Sequence, residues 1–194
     1  KTWEDVFMDC PQEGKSIEDI FFADSLHGWA ISYNSILQSE NGGLSWQVTG
    51  QKGNHSLENI DFSENETGWI VGFCGEIYRK KSWEDIWERL STGPIHNLRD
   101  VFFVDEKHGW CVGSTGCILH TENGGELWEQ QQSNVHNLLL RVKFLNHQKG
   151  YAVGYEAALY TEDGGNKWHK YDDLNRWFTD IDFFDDMNGL LIER

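Results

Sequence analysis

Three histidines and three arginines stand where the sequence could do chemistry. His55, His96 and His136 lie in the short polar stretches "KGNHSLEN", "TGPIHNLRD" and "SNVHNLLLR". Arg99, Arg141 and Arg176 fall within or next to such stretches, and Trp177 follows the last. Imidazole and guanidinium groups so placed can hold carboxylates or phosphates through charge-assisted hydrogen bonds. They can equally serve the backbone of the turns around them. A zinc ion on His55, His96 and His136 would need all three nitrogens within about 2.1 Å of one point. Equivalent positions in successive repeats diverge too far for that, so neither a metal nor a cofactor is expected.

A second constellation repeats three times: "SENGGLSW", "TENGGELW" and "TEDGGNKW". Its residues are Ser39, Asn41, Gly42, Gly43 and Trp46; Thr121, Asn123, Gly124, Gly125 and Trp128; and Thr161, Asp163, Gly164, Gly165 and Trp168. A calcium site would want several charged oxygens. The key position here is Asn twice and Asp once, which suits a turn better than a cation cage. The box reads as a hairpin device: the Asn or Asp oxygen accepts N–H groups two residues on, the glycines take positive φ, and the Trp anchors the next strand. Residues 80–87, "KKSWEDIW", lack both glycines. Trp83 is therefore expected to plug the blade edge.

These residues are positioned by an internal repeat. Gly28, Gly68, Gly109, Gly150 and Gly189 recur every 39–41 residues. Eight residues before each stands a β-branched residue (Ile20, Ile60, Val101, Val142, Ile181), with Phe two residues after that. Trp3, Trp46, Trp87, Trp128 and Trp168 form a second series. Each unit reads as four short strands, and a four-stranded unit of about 40 residues is the period of a β-propeller blade. The fold class is all-β. Four complete blades are expected at about 17–49, 57–90, 98–131 and 139–171. A partial fifth combines 178–194 with 1–9, giving one propeller domain over 1–194. Its third strand is lacking, so the chain reads either as a five-bladed ring or, the reading favoured, as a piece of a larger one.

Composition narrows the partners. Ten Trp and eleven Phe imply an aromatic core, and a net charge of -16 argues against nucleic acid. No apolar run is long enough to span a membrane. The cysteines, Cys10, Cys74, Cys111 and Cys117, have no zinc-type spacing and imply no particular disulfide.

The third repeat carries Phe103, Asp105, Gly109, Trp110, Val112, Gly113, Gly116, Ile118, Thr121, Asn123, Gly124, Gly125 and Trp128. This pattern resembles the repeat of the photosystem II assembly factor family of plants and cyanobacteria, whose relatives also occur in bacteria that do no photosynthesis. The box alone resembles the Asp-box (BNR repeat) of sialidases, sortilin-type receptors and some endoglucanases. The resemblance spans essentially the whole chain. It implies a protein or peptide partner, an assembly role and an extracytoplasmic place, which leaves room for a membrane-peripheral one.

The residues and the resemblance converge on a non-catalytic binding module. Its expected site is the face of the inter-blade linkers, where Lys15, His55, His96, His136, Arg99, Arg141, Arg176 and Trp177 would meet a protein, a small anion or a glycan. The alternative is a carbohydrate-active or lectin-like Asp-box propeller. Glycoside hydrolysis needs two opposed carboxylates; among 32 acidic residues no motif singles out a pair. Nucleophile-elbow, P-loop and Rossmann patterns are not found.

Overall fold

The computed structural model describes residues 16–51, 55–63, 66–83, 86–90, 96–185 and 188–194. Lys15, Trp3, Cys10 and the fourth strand expected over 1–9 lie outside them.

Four antiparallel four-stranded sheets follow one another, each a blade. Blade 1 is β1 (Asp19–Phe22), β2 (Gly28–Ser32), β3 (Ser35–Ser39) and β4 (Gln47–Gln51). Blade 2 is β5 (Leu57–Phe62), β6 (Gly68–Gly72), β7 (Ile77–Lys80) and β8 (Glu88–Arg89). Blade 3 is β9 (Leu98–Phe103), β10 (Gly109–Gly113), β11 (Ile118–Thr121) and β12 (Glu129–Gln131). Blade 4 is β13 (Leu139–Phe144), β14 (Gly150–Gly154), β15 (Ala157–Thr161) and β16 (His169–Lys170). β17 (Phe178–Phe183) and β18 (Gly189–Glu193) form a two-stranded fifth sheet. The fold is a β-propeller of four blades and a partial one.

The sequence landmarks are the parts of one repeated joint. Strand residues alternate between the two faces of a sheet. The Trp after the turn glycine points to the next blade, while the β-branched residue and the Phe of the inner strand point to the previous one. So Trp69 stacks on Phe103 at 3.4 Å, and Trp110 on Phe144 at 3.5 Å. The second Trp series closes each joint edge-on, with Phe103–Trp128 and Phe144–Trp168 both at 5.9 Å. Burying each such ring stabilises by roughly 1.5–3 kcal/mol. Trp83 packs against His27 at 4.6 Å and Trp29 at 5.8 Å; it is the expected plug.

A polar staple beside the landmark was not anticipated. In blades 1 to 3 the residue before the β-branched landmark accepts an N–H from the inner strand of the next blade. Ile60 N–H donates to Asp19 (3.0 Å), Val101 N–H to Asn59 (3.1 Å) and Val142 N–H to Asp100 (2.7 Å). Inner strands are sheet edges whose N–H groups would otherwise be orphaned. The series breaks where Arg141, which cannot accept, occupies the position. There Ile181 N–H turns back to its own neighbour Asp180 (2.9 Å). Ile20 N–H does the same with Asp19 (2.8 Å). On that first blade Ile20 and Phe22 are 47% and 41% exposed, whereas Ile60 and Phe62 are 4% and 7% exposed. Among the described residues, the outward face of blade 1 thus has the chemistry of a blade joint without a blade packed on it.

Candidate functional site

The box is a turn in all three copies. In blade 3, Thr121 Oγ1 accepts Gly125 N–H (2.9 Å) and donates to Asn123 Oδ1 (2.9 Å). Asn123 Oδ1 accepts Leu127 N–H (2.9 Å), four residues on rather than the two expected; Asn41 and Asp163 do likewise with Ser45 and Lys167. The threonine or serine takes the nearer N–H groups, so the Asn oxygen reaches across the loop. Gly124 and Gly125 have φ of +70° and +87°, the left-handed region that favours glycine. The box also clamps the preceding blade: Gly124 O accepts Trp69 Nε1 (3.0 Å) and Arg79 Nη1 (2.9 Å), and Gly164 O accepts Trp110 Nε1 (3.3 Å). Blade 2 has no box, and Trp29 Nε1 on blade 1 is buried with no hydrogen-bond partner. Asn123→Ala should therefore cost about 0.5–2 kcal/mol, by analogy with loss of a helix cap. Urea titration of the variant checks this; a change below 0.3 kcal/mol would mean the glycines alone hold the turn.

The linkers and the turns between strands two and three share one face, as expected. Gly75 N–H donates to His96 O (2.7 Å), Gly116 N–H to Asn137 O (2.8 Å) and Glu156 N–H to Arg176 O (2.9 Å). Among the described residues, His55, His96, His136, Arg176 and Trp177 lie in the linkers and Arg99 and Arg141 in the inner strands that follow them, but not as a ring of free cations; Lys15 lies outside the described residues. His55 Nδ1 lies 3.3 Å from buried Glu76, and His96 Nδ1 3.4 Å from Thr115 Oγ1. Arg99 pairs with Glu58 at 2.6 Å and lies 4.6 Å above Phe73. Arg141 is 3.5 Å from Asp180, and Arg176 is 2.8 Å from Glu193. His136 is exposed. The paired acids come from other strands and blades, at no fixed sequence offset, so the linker pattern could not reveal them.

Two exposed aromatics stand where blades 4 and 5 meet. Tyr155 and Trp177 face each other edge-on at 5.6 Å and form a lone antiparallel bridge between the blades. The Arg194 guanidinium lies 4.6 Å over Trp177. Cation, aromatics and the Arg176–Glu193 pair thus gather at one spot.

Where the inner strands converge, a pocket of about 200 Å³ is lined by Asp61, Asp100, Arg141, Lys143 and Asp180 among others. Burial pushes Asp100 up to about 8, against the pull of Arg141 and the Val142 N–H. Burial likewise pushes Asp61 up to about 6, against the Phe103 N–H that it accepts. These are the raised carboxyls an acid catalyst would show. Here they hold backbone N–H groups of the next blade. Among the described residues the cysteines Cys74, Cys111 and Cys117 are free thiols, the last two buried.

A family model for the photosynthesis system II assembly factor YCF48 matches residues 1–94 and again 78–171. The chain has no match among curated protein sequences. It is similar to a solved YCF48 bound to D1 peptide, at 15% identity and TM-score 0.53, over 93% of this chain and 91% of that one. It is also similar to the WD40 β-propeller domain of Doa1, at 13% identity and TM-score 0.73, over 93% of this chain and 62% of that one. A third likeness is to the Niastella koreensis GH74 enzyme, at 14% identity and TM-score 0.61, over 84% of this chain and 25% of that one. At such identities these likenesses speak to the fold. The family match, with the Phe–Trp joints and Asp-box turns found in the structure, places the chain in the photosystem II assembly factor YCF48 family of BNR-type propellers.

Proposed function

We propose that this propeller is a non-catalytic module that binds a protein or peptide segment on its linker face. The observation that carries the reading is the cluster of Tyr155, Trp177, Arg194 and Arg176 at the junction of blades 4 and 5. Trp, Tyr and Arg supply most of the energy at protein interfaces, because they bury large area and still offer polar tips. The solved YCF48 with its D1 peptide supports a peptide partner for a propeller of this family. Arg176 is paired with an exposed partner, Glu193, which a ligand carboxylate can replace. Arg99 and Arg141, also paired, extend the same face toward an acidic segment, and His55, His96 and His136 border it.

The test is binding to a panel of acidic and neutral peptides, and to partners captured by the immobilised protein. Trp177→Ala with Arg176→Ala should weaken binding at least tenfold, with the fold intact by circular dichroism. Added salt should weaken it further, since exposed charges are screened over about 8 Å at physiological ionic strength. Unchanged binding would move the site off this face. The GH74 likeness keeps a carbohydrate-active reading as the alternative. Turnover of a glucan or sialoside, lost on replacing one carboxylate, would establish that alternative.

A further inference from the structure

We propose that Asp105, His108 and His147 form a site for a divalent transition-metal ion of the zinc class, bridging blades 3 and 4. It lies beside the box turns, whose Gly124 and Gly164 N–H groups donate to Lys107 O (2.8 Å) and Gln148 O (2.9 Å), at residues outside the linkers. Asp105 and His108 sit in the turn joining β9 to β10. His147 sits in the equivalent turn joining β13 to β14.

The donor atoms already converge. His147 Nε2 is 2.7 Å from Asp105 Oδ2, and His108 Nδ1 is 2.9 Å from the same oxygen. One donor atom from each residue lies within 4.8 Å of the others. The two imidazoles meet edge to face at 4.7 Å. Zinc bonds nitrogen and oxygen at about 2.0–2.2 Å in a tetrahedron, which sets its ligand atoms about 3.3 Å apart. Binding requires side-chain rotations that open the two contacts to Asp105 by about half an ångström and bring the two nitrogens, now within 4.8 Å, to the same spacing.

The carboxylate is oriented before any ion arrives. Asp105 Oδ1 accepts the N–H groups of Lys107 and His108, both at 2.7 Å. Such outer hydrogen bonds are what hold ligands in productive geometry at metal sites. The neighbourhood also admits an ion. His108 and His147 line a solvent-open cleft of about 760 Å³, whose other walls include His120, Glu122, Glu129 and Asp163. The acids favour cations there, and the open side leaves a fourth position for water. Two imidazoles and one carboxylate select zinc, nickel or copper over magnesium and calcium, which prefer all-oxygen shells.

Blade 1 supplies an internal control. Asp24 and His27 form the same pair, at 2.8 Å. The sequence there has Asn65 at the position of His147, and His27 stacks on Trp83 instead. A turn hydrogen bond alone would treat the two pairs alike; a three-ligand site would not.

The experiment titrates the protein with zinc chloride alone, read by calorimetry and by thermal melting. The expected result is one ion per chain with a higher Tm, and no rise with calcium or magnesium. His147→Gln should weaken zinc binding at least tenfold, and His27→Gln should leave it unchanged. His147 is exposed, so its variant should fold, and the metal-free Tm of each variant checks this. X-ray absorption of the zinc-loaded protein should show two imidazoles in the shell. Failure to bind one ion, or equal losses in the His147 and His27 variants, would overturn the proposal. So would a shell without imidazole. None of these outcomes bears on peptide binding at the linker face.

Discussion

Gly116→Val should destabilise the protein by about 3–6 kcal/mol. Gly116 lies in the turn between β10 and β11 with φ of +71°. A left-handed backbone costs an L-residue roughly 1–2 kcal/mol, and a β-branched one sits at the upper end. A Cβ built there would also lie 2.0 Å from Val135 O and 2.8 Å from Ser133 Oγ. The first is a backbone atom of the linker, and the linker is itself tied down by Gly116 N–H to Asn137 O (2.8 Å). The clash cannot be relieved by a side-chain rotation. It must lift the linker, so overpacking adds about 1–3 kcal/mol. Losing the hydrogen bond adds about 1 kcal/mol. Against a total stability of about 5–15 kcal/mol, this is a large share. Urea denaturation measures it, and a loss under 1 kcal/mol would show that the linker yields freely. Thr115 is the counter-example one residue earlier. It holds φ of +58° without being glycine, so Thr115→Gly should cost little.

The repeat made most of this fold legible. Its glycine, β-branched, Phe and Trp landmarks correspond to one joint, met three times with full cover. A joint built from stacked rings needs large residues at fixed strand positions, so it leaves a periodic trace. The Asp-box was legible for the same reason, although its hydrogen-bond reach was not: whether Asn123 serves N–H groups two or four residues on depends on where Thr121 Oγ1 goes. The staples were also written in the sequence. "EDI", "ENI" and "RDV" place an acceptor before the landmark each time. An Asp or Asn in a strand also fits a solvent-facing position, so the sequence alone does not announce them. Only the neighbouring blade shows that its oxygen is used.

The candidate sites were less legible, for a different reason. Arg99, Arg141 and Arg176 were visible as cations, but Glu58, Asp180 and Glu193 neutralise them from other strands. Charge at a site is a sum over partners, and the repeat fixes only one member of each pair. Asp105, His108 and His147 make the same point in reverse. Asp105 and His108 are near in sequence, yet the third donor comes from the next blade, 42 residues after the aspartate. The alignment of like positions across blades, which singles out His55 and His96, does not bring together a cluster built from unlike ones.

The buried staples predict how stability should change with pH. Asp100 is buried, and its carboxyl is pushed up from 3.8 to about 8. Between those values the folded protein holds a proton that the unfolded chain has lost. Stability rises with pH only where the unfolded state binds more protons. Here the folded state binds more, so this group makes stability fall as pH climbs from about 4 to about 8. Asp61, pushed up to about 6, adds a fall over the lower half of that window. Asp19, raised by burial as well, acts in the same direction. Asp100→Asn removes the ionisation while its amide oxygen can still accept the Val142 N–H. The variant should therefore match the parent near pH 4 and exceed it near pH 8, with a flatter profile between pH 6 and 8. Asp100→Leu should not show this gain cleanly, because it orphans the Val142 N–H, which costs about 1–3 kcal/mol when buried. Thermal melts of the three proteins across pH 4–8 decide the matter. If the asparagine variant is destabilised equally at every pH, the carboxyl is ionised in the fold and paired with Arg141. The inner strands would then be held by an ion pair rather than by a neutral acid.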